Sequence, residues 1–147
     1  MIKLASTTIT INAPTDTVFL YVSNMENYKH WFPGVVDIRS ADNMPPGVVG
    51  KRYSETLLLP NGESLLNIEV DRCERPVVFL TKGDLEGILP QMTVLFSENQ
   101  LGMCEVNLSY HSRSNSLTEG DDVIKLLRGD LEVKAKEGLK TLKGLLE

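Results

Sequence analysis

Apolar and polar residues alternate along Thr8-Ile9-Thr10-Ile11-Asn12, the period-two pattern of a half-buried strand rich in β-branched residues. The period then changes. Pro14 sits where a helix accepts it, in the first turn, and Asp16 is well placed against the positive end of that helix. Val18, Phe19 and Val22 supply a short apolar face; Asn24 can cap a second short helix, and Pro33-Gly34 stops it. A strand and two short helices thus precede everything else.

From Gly34 onward the pattern is that of strands. Val35–Arg39 is short, and Val48–Leu59 is longer and ends at the hairpin signal Pro60-Asn61-Gly62. That turn predicts two adjacent antiparallel strands, with Leu58 or Leu59 near Leu65 or Leu66 and a positive φ at Gly62. In Glu63–Cys73, Leu66, Ile68 and Val70 share one face, opposite Asn67, Glu69 and Asp71. Arg75-Pro76 turns the chain into Val77–Leu80, then come Met92–Phe96 and, after a turn at Asn99–Gly102, a strand in which Cys104, Val106, Leu108 and Tyr110 alternate with polar residues. Short connections between these runs predict a seven-stranded antiparallel sheet.

The last 30 or so residues return to a helical period. Ser116-x-x-Glu119 and Thr118-x-x-Asp121 both resemble capping boxes and place a helix start close by. Ile124, Leu127, Leu131, Ala135, Leu139, Leu142 and Leu146 fall on one stripe, roughly 120° wide. A helix of about 25 residues is ~37 Å long, enough to cross a whole sheet. One long helix against one antiparallel sheet makes the sheet curl around the helix, an α+β architecture in a single domain over residues 1–147.

Composition narrows the functional classes. With 41% apolar and 24% charged residues the chain has the make-up of a folded globular domain. A net charge of -5, with scattered basic residues, argues against nucleic acid as a partner, because phosphate binding needs a concentrated basic face. No apolar run approaches the ~20 residues of a membrane span, and Met1-Ile2-Lys3-Leu4-Ala5 lacks the apolar core of a secretory signal. Cys73 and Cys104 are isolated, with neither metal-ligand nor redox spacing, so the expectation is free thiols in a cytoplasmic protein with no metal and no cofactor.

With these elements in place, the chain resembles the START-like, helix-grip superfamily (SRPBCC), in particular its polyketide cyclase/dehydrase and lipid-transport branch. The likeness rests on the I-x-A-P-x-x-x-V-F opening at Ile11–Phe19, the aromatic-Pro close at Trp31-Phe32-Pro33, Val49-Gly50, the turn Val70-Asp71-Arg72-Cys73-Glu74-Arg75-Pro76 and the terminal amphipathic helix. It implies a helix-grip fold with a deep apolar cavity between the sheet and the C-terminal helix. It does not imply a reaction, since the superfamily mixes carriers, hydrolases, cyclases and protein-binding modules.

The candidates to line such a cavity are Trp31, Tyr53, Leu66, Ile68, Phe79, Val94, Phe96, Val106, Leu108, Tyr110, Leu127, Arg128, Leu131 and Ala135. Leu85, Ile88 and Leu89 are either a lip or leucines folded back onto the core. No catalytic motif is present. His30 either faces a cavity mouth or caps a helix end, and His111 points outward by strand parity. Arg128 lies near the apolar stripe: either it stands at the stripe's edge with its charge reaching solvent, or an anion meets it, with Glu132 or a ligand carboxylate as the partner. Gly138, on the stripe, marks close packing or room for a ligand; Leu126 and Val133, on the opposite face, are where a dimer contact would form. Three functions follow: a binder or carrier of a small hydrophobic molecule such as a lipid, polyketide-like aromatic or isoprenoid; a cyclase/dehydrase-type enzyme using His30, Tyr53, Tyr110 or Arg128; and a protein-interaction module of co-chaperone or ribosome-associated type. A monomer or weak homodimer is expected.

Overall fold

The computed structural model describes residues 1–147 throughout. In chain order the elements are β1 (Ile2–Ile11), α1 (Thr15–Ser23), a single 3-10 turn (Met25–Asn27), α2 (Tyr28–Trp31), β2 (Val35–Ser40), β3 (Arg52–Leu59), β4 (Gly62–Glu74), β5 (Val78–Gly83), β6 (Pro90–Glu98), β7 (Cys104–Ser112) and α3 (Asp122–Leu146). The strands form one seven-stranded sheet in the order β1-β7-β6-β5-β4-β3-β2, every pairing antiparallel. Register shifts in β1, β2 and β4 interrupt the ladder at Lys3/Ala5, Val35/Asp37 and Val70/Arg72; such bulges bend strands and add twist, which helps the sheet to curve. This is the α+β helix-grip architecture, with α3 held in the concave face.

Local chemistry explains where the elements begin and end. Pro14 stands at the N-cap of α1, just before its first turn, and Asn24 Oδ1 accepts the Glu26 N–H at 3.2 Å to open the 3-10 turn. Asp121 turns its carboxylate back to accept the N–H and hydroxyl of Thr118, both at 2.9 Å, and α3 starts at Asp122. Two ties fix α3 along β1: Arg128 Nε donates to the Lys3 carbonyl at 3.0 Å, and Lys143 Nζ donates to that of Thr10 at 2.8 Å.

Two strand readings need correction. Val48–Gly50 is turn rather than strand, with Gly47 at φ +84° and Gly50 at φ +94°, and β3 begins at Arg52. The reason is Lys51, almost fully buried, whose ammonium reaches Asp42 Oδ1 at 2.7 Å and the Ser40 hydroxyl and lies 5.2 Å from the centre of the Tyr53 ring. A paired buried charge folds the 41–50 loop over the start of this strand. The hairpin forms at Pro60-Asn61, with Gly62 at φ +120°, but its register is tighter than expected. Leu58 faces Glu63 and Leu59 faces Gly62, while Leu65 and Leu66 face Thr56 and Glu55.

The core runs along the concave face. Ile124, Leu127, Ala135, Gly138, Leu139 and Leu142 of α3 are buried against it, whereas Leu131 and Leu146 are only partly so. Gly138 is a close-packing glycine: a Cβ there would lie 3.3 Å from the Phe32 ring and 3.3 Å from the Trp31 carbonyl oxygen.

Candidate functional site

The concave face is filled unevenly. Helix α1 packs on β6 and β7, with Phe19 edge-on to Phe96 at 5.0 Å between ring centres, and seals one end. Towards the other end, between α3 and strands β3–β5, a cavity remains that gives water-sized molecules about 70 Å³ for their centres. A single water needs roughly 10–15 Å³ on that measure, so the space holds several waters or a small organic molecule. Its wall is mainly aliphatic, from Leu57, Leu59, Leu66 and Ile68 on the sheet to Leu127 and Leu131 on α3, with Met25, Phe32 and Met92 deeper.

Polar groups break this wall at two depths. Deepest are Tyr28, from α2, and Tyr110, from β7, whose hydroxyls hydrogen-bond each other, while the Tyr110 hydroxyl also donates to Met92 Sδ at 3.3 Å. Phe32, the C-cap of α2, holds them: it stacks on Tyr28 at 5.0 Å and lies 5.5 Å from the Tyr110 ring. Burial pushes both phenols well above their ordinary range, so both stay neutral. Nearer the centre is Glu55, only 3% exposed yet part of the cavity wall. Burial pushes its carboxyl up to about 8 from an ordinary 4.5, and no hydrogen bond or cation contributes. At neutral pH this is an uncharged carboxylic acid, a donor as well as an acceptor.

The mouth is built by α3 and the rim of the sheet. Lys134 Nζ pairs with Asp130 at 2.9 Å and donates to the Leu58 carbonyl of β3 at 2.8 Å, spanning the gap beside Gly34, where a Cβ would meet this ammonium at 3.0 Å. Across from it, Leu85 and Ile88 line the cavity and pack on the core, so the 84–89 loop serves as lip and core cover at once. That loop is pinned. Leu89 takes a left-handed φ of 48°, its N–H bonds Leu85 O at 2.8 Å, its carbonyl accepts the Arg113 N–H at 2.9 Å, and the Ser112 hydroxyl holds Ile88 O.

Of the residues expected to line a cavity, Leu66, Ile68, Tyr110, Leu127 and Leu131 meet around this one. The others lie elsewhere. Phe79, Val94, Phe96, Val106 and Leu108 are buried in the main core, with Phe96 under α1. Trp31 is buried beside Tyr28, its Nε1 without a partner, and Tyr53 lies beneath Lys51. Ala135 is sealed in the core. Arg128 stands outside the cavity, at the edge of the helix stripe, where its guanidinium pairs with Glu119 rather than with Glu132 or a ligand. His30 is exposed and His111 half-buried, and neither reaches the cavity. No group of three or more His, Cys, Asp or Glu side chains is placed to hold a metal ion. The residue missed by sequence reasoning is Glu55. Its signal was the alternation Tyr53-x-Glu55-x-Leu57, which puts an acid on the inward row of β3, and the run Leu57-Leu58-Leu59 obscured that phase.

Comparison with known proteins agrees with this architecture. Residues 3–147 match the family described as polyketide cyclase / dehydrase and lipid transport, and the chain belongs to that family. No curated protein matches its sequence. Among solved structures, the chain superimposes on the di-domain ARO/CYC StfQ from the steffimycin biosynthetic pathway with a TM-score of 0.73 at 14% identity, covering 99% of this chain and 51% of the other; the chain thus spans about half of that protein. A START superfamily protein from Mycobacterium smegmatis gives a TM-score of 0.71 at 14% identity, over 98% of this chain and 97% of the other. The Aha1 dimer from Colwellia psychrerythraea gives 0.68 at 17% identity, over 100% and 97%. At these identities the likeness is one of fold.

Proposed function

We propose that this protein binds one small, largely apolar molecule in the cavity between α3 and strands β3–β5. The observation that carries this reading is the cavity itself: an aliphatic space left unfilled in an otherwise well-filled core, with a few polar groups along its wall. The family description, which includes lipid transport, supports the same reading. The two cysteines are free, one half-buried and one buried, which is compatible with action in the cytoplasm. The small ligand is the partner; the acidic net charge disfavours nucleic acid.

The test uses ethylbenzene as an apolar probe, titrated into isotope-labelled protein and followed by amide and methyl NMR shifts. Saturable shifts at one equivalent, centred on Leu57, Leu66 and Leu131, are expected. Leu131→Trp, which fills the cavity from a half-buried position, should abolish them with the fold intact. Shifts that stay linear in probe, or that Leu131→Trp leaves unchanged, would refute the reading. Ala135 is the wrong place for such a block, because enlarging a sealed residue overpacks the core.

A second reading has one specific observation behind it. An acid held near neutrality inside a cavity is the form a general acid or base takes, and the StfQ relative carries the label ARO/CYC. A cyclase/dehydrase-type role would use Glu55 for proton transfer, with Tyr28 and Tyr110 orienting an oxygen. Turnover of a β-hydroxy ketone abolished by Glu55→Gln would favour it over simple binding.

A further inference from the structure

Four charged or titratable side chains besides Glu55 border the cavity, and all are already engaged. Tyr28 and Tyr110 bond each other, and Asp130 and Lys134 pair at the mouth, where Lys134 is also held by Leu58 O. Asp130 Oδ2 has this ion pair but no hydrogen bond, and Glu55 alone has neither. Its neighbours across the ladder, Ile38 on β2 and Leu66 on β4, bring no charge to it. The cavity therefore contains no free cation and one free carboxyl.

We infer that the ligand presents a neutral hydrogen-bond acceptor, such as a ketone or other carbonyl oxygen, to the Glu55 carboxyl, and that the site rejects carboxylates and other anions. This rests on the binding reading above and specifies its ligand. An acceptor oxygen on the ligand satisfies the acid's proton, which no protein group accepts. A ligand carboxylate would be desolvated beside the one ammonium on the wall, Lys134, which Asp130 already neutralises, and this is strongly unfavourable.

Three probes of nearly one shape separate the possibilities: ethylbenzene, acetophenone and benzoate, titrated by NMR at pH 6.5. Acetophenone should bind roughly three- to tenfold more tightly than ethylbenzene, the span of one hydrogen bond, and benzoate at least tenfold more weakly than acetophenone. Because Glu55 loses its proton near pH 8, the acetophenone advantage should vanish by about pH 9 while ethylbenzene binding changes little. In Glu55→Gln, whose amide still donates, the advantage should persist and become independent of pH; in Glu55→Leu it should be absent at every pH. Circular dichroism checks that both variants fold, and the wild-type pH profile carries the test by itself if either does not. Equal binding of ethylbenzene and acetophenone, with a flat pH profile, would overturn this inference and leave the binding reading standing. Benzoate binding as tight as acetophenone would overturn it too. Failure of all three probes to bind would defeat the binding reading and this inference with it.

Discussion

Glu55 links stability to pH in a direction unlike that of the other acids. Its folded value, about 8, stands above the ordinary 4.5, so the folded protein keeps a proton that the unfolded chain has already released. Stability from this residue is complete below about pH 4.5, declines as pH rises, and levels off above about pH 8. Between pH 7 and 8 the expected loss is about 1 kcal/mol. Asp16, Asp37, Asp42, Asp84, Asp121 and Glu147 behave oppositely: ion pairs and hydrogen bonds hold them below their ordinary values, and their stabilisation disappears only in acid. His111, lowered by burial, gives a rise of stability with pH around its ordinary 6.5, and Cys73 and Cys104, raised by burial from 9.0, add a decline that grows only above about pH 8, so between pH 7 and 8 Glu55 dominates. Urea unfolding at pH 7 and 8 should show the decline in the wild type and its absence in Glu55→Gln; an equal slope in both would mean that Glu55 is ionised throughout. At this scale the sequence was only partly legible. The inward rows of β4 and β7 could be read from clean alternation, but the fate of a charged side chain depends on which atoms pack above it. Lys51, Glu55 and Arg128 show the range: one buried and paired, one buried and alone, one drawn to an acid nine residues back in the chain.

Along α3, three glycines offer a comparison in which the helix is constant and only the surroundings vary. Gly129 and Gly144 are exposed, and a Cβ at either would meet nothing within 4 Å. Gly129→Ala should therefore stabilise by up to about 1 kcal/mol through helix propensity, and Gly144→Ala by less, because it lies in the final turn. Gly138→Ala should destabilise. The new methyl meets the Trp31 carbonyl and the Phe32 ring at 3.3 Å, and neither can retreat without disturbing the aromatic group that positions Tyr28 and Tyr110. Thermal unfolding of the three variants checks the order, and stabilisation by Gly138→Ala would show that α2 yields easily. Element identity was legible because β-strand and helix periods differ sharply and the terminal stripe is long. Boundaries were less so. The start of α3 fell where the capping motifs placed it, at Asp122 with Asp121 as its N-cap, but the start of β3 shifted because a buried ammonium commands the preceding loop.

At the scale of the whole molecule, the concave sheet is divided into a sealed end and a hollow one, and the candidate site exists because that division is uneven. Sequence reasoning gave every inward apolar residue an equal claim on the cavity, since parity identifies the concave face but not how far along it a short helix reaches. Helix α1 covers Phe96, while the aliphatic residues of β3 and β4 are left facing α3 across open space. Truncations at two points of one helix should report this division. Leu142 is fully buried in filled core, and Leu142→Ala should lower stability by roughly 2–5 kcal/mol. Leu131 is half-buried and borders the cavity, so Leu131→Ala creates no new void in packed surroundings and should lower stability by clearly less. The same substitution enlarges the space available to a ligand, so a probe slightly larger than ethylbenzene, such as butylbenzene, should bind Leu131→Ala better than the wild type. Chemical unfolding with and without butylbenzene measures both effects, since a ligand of the folded state raises its stability in proportion to the logarithm of occupancy. A loss as large at Leu131 as at Leu142, with no gain in butylbenzene binding, would mean that the space closes in solution and that the core is filled from end to end.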